Sequence, residues 1–440
     1  MHRHLFAALL LGTCFASNAA RLVVTPADGP ADQPVQMQVE GLLPTQAVQL
    51  RLSLQDSRGV EWVSQATFRA DLDGRVDTRR TGAEAGTYSG VDAMGLFWSM
   101  QPVSGDGPPS PLPIRPDAGG LLFKPVPFTL QAWIDGVLVG EQQLLRRINH
   151  PGVRARPLGV DGLVGNLYLP ADAARDGQRL PVVITLGGAE GGIDTANYYA
   201  AWLASNGFAA VALAYYRMPG LPQDLIRVPI DPVSRAIDWL QAQPFTGQVG
   251  VMGGSWGATL AMASATHDPR LKAVVSWVGS PAPFRGIRRD VPPADFRAVD
   301  LPALSHQGRD LPFLPYLEDV NWNQPGGHAA ALENATLPIE RINGPVLLVA
   351  GGDDQLGASG EMAAVAMRRL QRRSVPQADA LLYYSDAGHL IGQMHQPTTF
   401  RHASGPHLRV GGTPAGHARA DRESAPAVLA FLRRALVLPQ

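Results

Sequence analysis

Cysteine is nearly absent: the 440-residue chain has one, Cys14, inside an apolar N-terminal run. A mature chain without thiols has no disulfide frame, no Cys-ligated metal and no cysteine nucleophile. Net charge is nearly absent too. The 37 Lys and Arg against 38 Asp and Glu leave −1 at pH 7, so no field gathers nucleic acid or an anionic membrane, and the expected partner is a small molecule. Beyond the N-terminal run, no stretch approaches the roughly 20 uncharged apolar residues of a spanning helix. Neither G-x-G-x-x-G nor G-x-x-x-x-G-K-[ST] occurs, which removes a nucleotide-binding reading. What is present is 45% hydrophobic residues, with 47 Gly and 38 Pro spread without period. That composition predicts more than one core, joined by many tight turns.

The chain opens Met1-His2-Arg3-His4, runs apolar from Leu5 to Ala16, and continues Ser17-Asn18-Ala19-Ala20. A basic start, a short apolar run and small residues predict a secretory signal over residues 1–19, cleaved near Ala19, and an exported, periplasmic or secreted protein. Acylation of Cys14 as a lipoprotein's first residue is the weaker alternative, because Thr13 is bulkier than the small residue such processing prefers.

Two halves follow with different periodicity. From residue 20 to about 150, Val35–Val39 and Val48–Leu54 alternate apolar and polar residues as half-buried antiparallel strands do. Ala27-Asp28-Gly29-Pro30 and Asp71-Leu72-Asp73-Gly74 read as turns between strands. Phe128–Ile134 and Val137–Gln142 flank Asp135-Gly136, a two-residue hairpin signal. This half is expected to be an all-β, immunoglobulin-like sandwich, with Pro102–Pro116 as a loop. Over residues 151–440 the apolar runs lose their alternation: Leu180–Leu186, Phe208–Tyr215, Val249–Met252, Leu271–Val278, Val346–Ala350 and Ala380–Tyr384. Such runs, spaced for crossover helices, predict a mostly parallel, doubly wound α/β sheet covered on both faces. Asp231-Pro232 with Val233, Ala236, Ile237 and Leu240 supplies an N-cap, a first-turn proline and a helical stripe. The rhythm fails between about 280 and 338, a stretch with Arg285, Arg288 and Arg289 near its start, which reads as an insertion over the strand ends.

One apolar run ends in Gly253-Gly254-Ser255-Trp256-Gly257 and passes into Ala258–Ala263, a helical stretch. In G-x-S-x-G a strained strand-to-helix turn pushes the serine Oγ outward, and the glycines let neighbouring backbone pass. Ser255 is the candidate nucleophile. It needs a base, and the base needs an orienting acid, in the chain order Ser, Asp, His. Val346–Ala350 runs into Gly351-Gly352-Asp353-Asp354, and Leu381–Tyr384 into Ser385-Asp386-Ala387-Gly388-His389. His389 is the expected general base and Asp354 its partner, with Asp353 the competing choice. The oxyanion hole is expected to use the N–H of Trp256 and one from Gly187-Gly188-Ala189-Glu190-Gly191-Gly192, at Gly188 or Ala189. His395, His402, His407 and His417 match no tight metal-ligand spacing. Neither a metal nor a cofactor is expected.

These residues resemble the acyl-CoA thioesterase and bile acid-CoA:amino acid N-acyltransferase family. The likeness rests on Gly86–Met100 in the first half. In the second it rests on the Gly187–Gly192 loop, Ala209–Tyr216, the serine turn, Leu337–Leu348 and Gly411-Gly412-Thr413-Pro414. The resemblance implies a β-sandwich packed on an α/β-hydrolase domain, with a triad at Ser255, Asp354 and His389. Within the family a cysteine nucleophile goes with transfer to an amino acid and serine with hydrolysis, so Ser255 implies a thioester hydrolase. The family often carries tryptophan three residues after the second aspartate, where this chain has Gly357. CoA thioesters are cytosolic, so an exported protein meets another acyl ester or thioester. A carboxylesterase acting on oxygen esters and a catalytically inactive binding protein are the alternatives.

Overall fold

The computed structural model describes residues 19–56, 58–103, 116, 120–171, 173, 179–288, 299–314, 329–392, 394, 396–399 and 409–437. The expected leader with Cys14, most of the Pro102–Pro116 loop, Arg289 and other parts of the insertion, and His395, His402 and His407 lie outside the described residues.

Up to residue 149, strands dominate. Alternation decides which face is buried: along Ala47–Gln55 the side chains of Val48, Leu50, Leu52 and Leu54 point inward, and along Glu61–Arg69 those of Trp62, Ser64, Ala66 and Phe68 do. The two strands pair antiparallel, as do Val126–Ile134 and Val137–Arg147. Arg21–Thr25, Gln36–Glu40 and Val76–Asp77 make a separate sheet, and one shared core lies between the two. The Asp135-Gly136 turn has φ of 48° and 79°, the left-handed pair that a tight hairpin requires. Ala27–Pro30 differs from its reading as a turn. Asp28–Pro30 is a short strand parallel to Leu145–Arg147, tied by Arg147 to Asp28 at 2.6 Å. It lies at the sheet edge, where proline's missing N–H is tolerated.

An eight-stranded sheet follows. Its strands in chain order are β1 (Arg154–Pro157), β2 (Gly165–Leu169), β3 (Leu180–Leu186), β4 (Ala209–Leu213), β5 (Thr246–Gly254), β6 (Leu271–Trp277), β7 (Val346–Gly351) and β8 (Ala380–Tyr384). Their spatial order is β1-β2-β4-β3-β5-β6-β7-β8. β3 to β8 are parallel, whereas β1 and β2 pair antiparallel at one edge. Helices α1 (Asp194–Ser205), α2 (Asp231–Gln241), α3 (Trp256–His267), α4 (Ser359–Leu370) and α5 (Pro414–Leu436) cover it. α2, α3 and α4 share one apolar core with the sheet, and α1 and α5 share the other. Successive residues of β3 serve opposite faces, Val182 and Ile184 one and Val183 the other, which explains the unbroken apolar run.

α2 starts at Asp231, not after it. Ile230 holds the cap position, and the Asp231 carboxylate instead accepts the Gln307 N–H at 3.2 Å. Gln307 follows a short strand between β6 and β7, Leu304–His306, which pairs with Val228–Pro229 and Arg309–Asp310. The first-half strands also meet the second half. Asp32 accepts the Trp202 indole N–H at 2.8 Å, Trp98 carbonyl oxygen accepts the Thr398 N–H at 3.0 Å, and Asp92 pairs with Arg422 at 3.3 Å. Among the described residues, no helix is long and apolar enough to cross a membrane.

Candidate active site

β5 brings a buried apolar run up to Gly254, and the chain then reverses into α3 through Ser255, whose φ is 53° and ψ −120°. A left-handed φ at a residue with a Cβ is strained, and the surroundings must hold it. The Ser255 N–H donates to the Trp277 carbonyl at 2.8 Å. The flanking glycines are required by contact: a Cβ on Gly253 would lie 2.2 Å from the Gly257 carbonyl carbon, and one on Gly257 would lie 2.2 Å from the Gly187 carbonyl oxygen. Ser255 and Trp256 stay partly exposed at the positive end of α3.

β7 and β8, which lie beyond β6 and run parallel to β5, end at the same edge of the sheet and supply the partners. His389 Nε2 lies 2.9 Å from Ser255 Oγ, and His389 Nδ1 lies 2.8 Å from Asp354 Oδ2. A proton on Nδ1, donated to the carboxylate, leaves Nε2 free to accept from the serine hydroxyl. Both partners are buried, His389 with 6% and Asp354 with 7% of its surface exposed. Burial alone pushes the Asp354 carboxyl up. The facing imidazole, its hydrogen bond, the Gly357 N–H and Ser359 outweigh that and hold it below its ordinary value. Gly357 sits against the imidazole: a Cβ there would lie 3.0 Å from His389 Cε1. Asp353 does not share this role. It is exposed, and its Oδ2 accepts the Gly412 N–H at 2.8 Å.

The loop after β3 runs beside the serine. A Cβ on Gly188 would lie 3.3 Å from Ser255 Cβ. Its carbonyls are turned away by tyrosines that sequence reading did not single out. Tyr215 Oη donates to the carbonyls of Gly187 at 2.8 Å and Gly188 at 3.1 Å, and Tyr216 Oη to that of Ala189. The Gly188 N–H donates to the Glu190 carboxylate at 2.9 Å. His417 is a second residue whose place was not foreseen. Buried in α5, it accepts the Gly388 N–H on Nε2 at 3.2 Å while Nδ1 contacts the Thr413 carbonyl at 3.0 Å. A histidine one turn past the Thr413-Pro414 helix start, next to Gly411-Gly412, was the available signal. Among the described residues, no group of three or more His, Cys, Asp or Glu is arranged to hold a metal.

A strand-to-helix serine at the carboxyl end of β5, in a sheet of this order, is an α/β-hydrolase arrangement. Residues 32–159 match the acyl-CoA thioester hydrolase/BAAT N-terminal region, and residues 228–437 match the BAAT/acyl-CoA thioester hydrolase C-terminal region. Residues 159–290 also match the X-Pro dipeptidyl-peptidase (S15) family. Acyl-coenzyme A thioesterase 6 of Mus musculus is 30% identical over 433 residues, 95% of this chain and 97% of that protein. The chain belongs to the acyl-CoA thioesterase and bile acid-CoA:amino acid N-acyltransferase family. Other members include the peroxisomal succinyl-coenzyme A thioesterase of Mus musculus, 31% identical over 86% of this chain and 87% of its own. Acyl-coenzyme A amino acid N-acyltransferase 2 of Mus musculus is 29% identical over 95% and 98%. Both activities of the family are therefore represented among relatives of similar distance.

Proposed function

We propose that this protein is a serine hydrolase that cleaves acyl thioesters through an acyl-enzyme, with Ser255 as nucleophile, His389 as general base and acid, and Asp354 as its orienting carboxylate. Ser255 Oγ attacks the acyl carbonyl carbon as its proton passes to His389 Nε2. The C–S bond then breaks and the leaving thiolate takes that proton. Water attacks the acyl-serine ester, giving a proton to Nε2, which returns it to Ser255 Oγ as the carboxylic acid departs. The Trp256 N–H and a loop N–H at Gly188 or Ala189 stabilise the tetrahedral oxyanion.

The observation that carries this reading is the pair of contacts His389 makes, 2.9 Å to Ser255 and 2.8 Å to Asp354. The thioester class comes from the family and from the nucleophile being serine, whose acyl ester is resolved by water. Beside Trp256, the apolar residues Ala282, Phe284, Leu314, Ala335 and Met362 form a small buried core cluster of their own. In the same reading residues 20–150 are a separate immunoglobulin-like sandwich domain, supported by their own core, and 151–440 are the catalytic domain with an insertion near 280–338. The basic and apolar N-terminus favours export. It gives a second reading, a carboxylesterase that meets oxygen esters outside the cytoplasm.

Steady-state rates on palmitoyl-CoA and on a short p-nitrophenyl ester separate the two. The proposal expects kcat/KM for the thioester to exceed that for the ester by at least about 10-fold. The reverse ratio selects the carboxylesterase. Turnover of either substrate at the normal rate by Ser255→Ala removes the mechanism.

A further inference from the structure

An oxyanion donor serves catalysis only while nothing else occupies it. Gly188 is one of the two alternatives proposed for the loop oxyanion donor, and its N–H points at the Glu190 carboxylate, with Oε1 2.9 Å away. The carboxylate also lies over the adjacent backbone. A Cβ on Gly188 would sit 2.8 Å from Glu190 Oε2 and 3.3 Å from Ser255 Cβ, and one on Gly187 would sit 3.0 Å from Glu190 Oε1. The carboxylate therefore lies on the Gly188 side that faces the nucleophile.

The backbone around this contact is held independently of it. Tyr215 Oη fixes the carbonyls of Gly187 and Gly188 at 2.8 and 3.1 Å, Tyr216 holds that of Ala189, and Arg217 Nη1 donates to the Glu190 carbonyl at 2.7 Å. Glu190 itself is exposed, so its side chain can rotate into solvent without unpacking a core. A loop already fastened through its carbonyls does not need a carboxylate on one N–H to keep its shape.

From this we infer that Glu190 is an internal anion that occupies the Gly188 oxyanion donor in the resting enzyme and is displaced by substrate. One N–H cannot serve a carboxylate and a tetrahedral oxyanion together, and two anions at that spacing repel. Glu190 thus limits reaction at Ser255 until an acyl group with enough binding energy moves it aside. It screens out small electrophiles that cannot do so. The inference rests on the proposed role of Ser255 and Gly188, and it concerns a residue that neither attacks nor shuttles protons.

Two variants distinguish competition from loop support. Glu190→Gln keeps an amide oxygen able to accept the Gly188 N–H but removes the charge, whereas Glu190→Ala removes the acceptor. The readout is the second-order rate of Ser255 modification by a small alkyl fluorophosphonate, which has little binding energy to displace a plug. Displacement by competition predicts acceleration of about 10-fold for Glu190→Gln and at least as much for Glu190→Ala, at unchanged melting temperature. A supporting role predicts an unchanged rate for Glu190→Gln and a slower one for Glu190→Ala, and either result overturns the inference. A variant that melts early is replaced by Glu190→Asp, whose shorter side chain must also react faster than wild type. Absence of labelling in the wild type overturns the proposed nucleophile first and this inference with it.

Discussion

The serine and the histidine reach the same point by different means. The serine turn is held by close steric fit: Ser255 has a φ of 53° between Gly253 and Gly257, each packed too tightly to bear a Cβ, and its N–H is held by the adjacent β6. The histidine turn is held from a distance. The His389 N–H donates to the Val410 carbonyl at 2.7 Å, the Gly388 N–H to His417, and the Gly412 N–H to Asp353. A segment that follows the histidine by about 20 residues thus folds back over it, and α5 anchors it. Steric strain at the turn itself positions Ser255, the proposed nucleophile, whereas hydrogen bonds from the segment near residue 410 and from α5 position His389, the proposed base. The nucleophile should therefore tolerate damage to α5 that the base does not.

Removing either chemical group gives the largest effect. Ser255→Ala and His389→Ala are each expected to lower kcat by about 10⁴–10⁶-fold with melting temperatures near wild type, measured by steady-state kinetics and thermal unfolding. Next comes Asp354→Asn, at about 10³–10⁴-fold, because an amide favours the wrong imidazole tautomer. This variant also has a stability signature. Asp354 titrates below its ordinary value of 3.8 in the folded chain. The stabilisation from its ionised form is therefore complete above pH 3.8 and lost as pH falls through the folded value. Urea titrations should show wild type ahead of Asp354→Asn at pH 7, with the gap closing below pH 3.8.

Smaller changes sharpen the contrast between the two turns. His417→Ala leaves the Gly388 N–H without its acceptor, and kcat is expected to fall about 10- to 100-fold through displacement of His389. The hydroxyl donor at the glycine loop beside the serine turn should matter less. Tyr215→Phe is expected to lower kcat about 3- to 10-fold, since the loop retains Tyr216 and Arg217. A crystal structure of His417→Ala with Ser255 unmoved and His389 displaced would support the two-mode account. Equal displacement of both would break it.

Much of this was legible in the sequence because the physics is local. Alternation marked Val48–Leu54 as a strand with one buried face, and unbroken apolar runs marked β3 to β7 as strands buried on both; the run of β8 predicted the same, but that strand lies at the sheet edge and leaves Tyr383 exposed. G-x-S-x-G carries its own steric requirement. Other features depend on partners far along the chain. Asp28–Pro30 has turn composition and became an edge strand only because Leu145–Arg147 passes beside it. Asp231 has cap chemistry, but Gln307, in the stretch between β6 and β7, offered its carboxylate a different donor. The antiparallel strands β1 and β2 were not anticipated, since short edge strands carry little periodicity. Glu190 stood in view within the glycine loop. Its significance required the coordinates, because nothing in Gly-Gly-Ala-Glu tells where a side chain turns.

The most direct test is mass spectrometry of the intact, folded protein after treatment with a fluorophosphonate, followed by peptide mapping. One adduct is expected, on the peptide carrying Ser255, formed at a rate that collapses in His389→Ala and is nearly retained in an exposed-site control such as Asp73→Asn. A folded wild-type protein that takes no adduct at Ser255, or takes it equally fast without His389, contradicts the account.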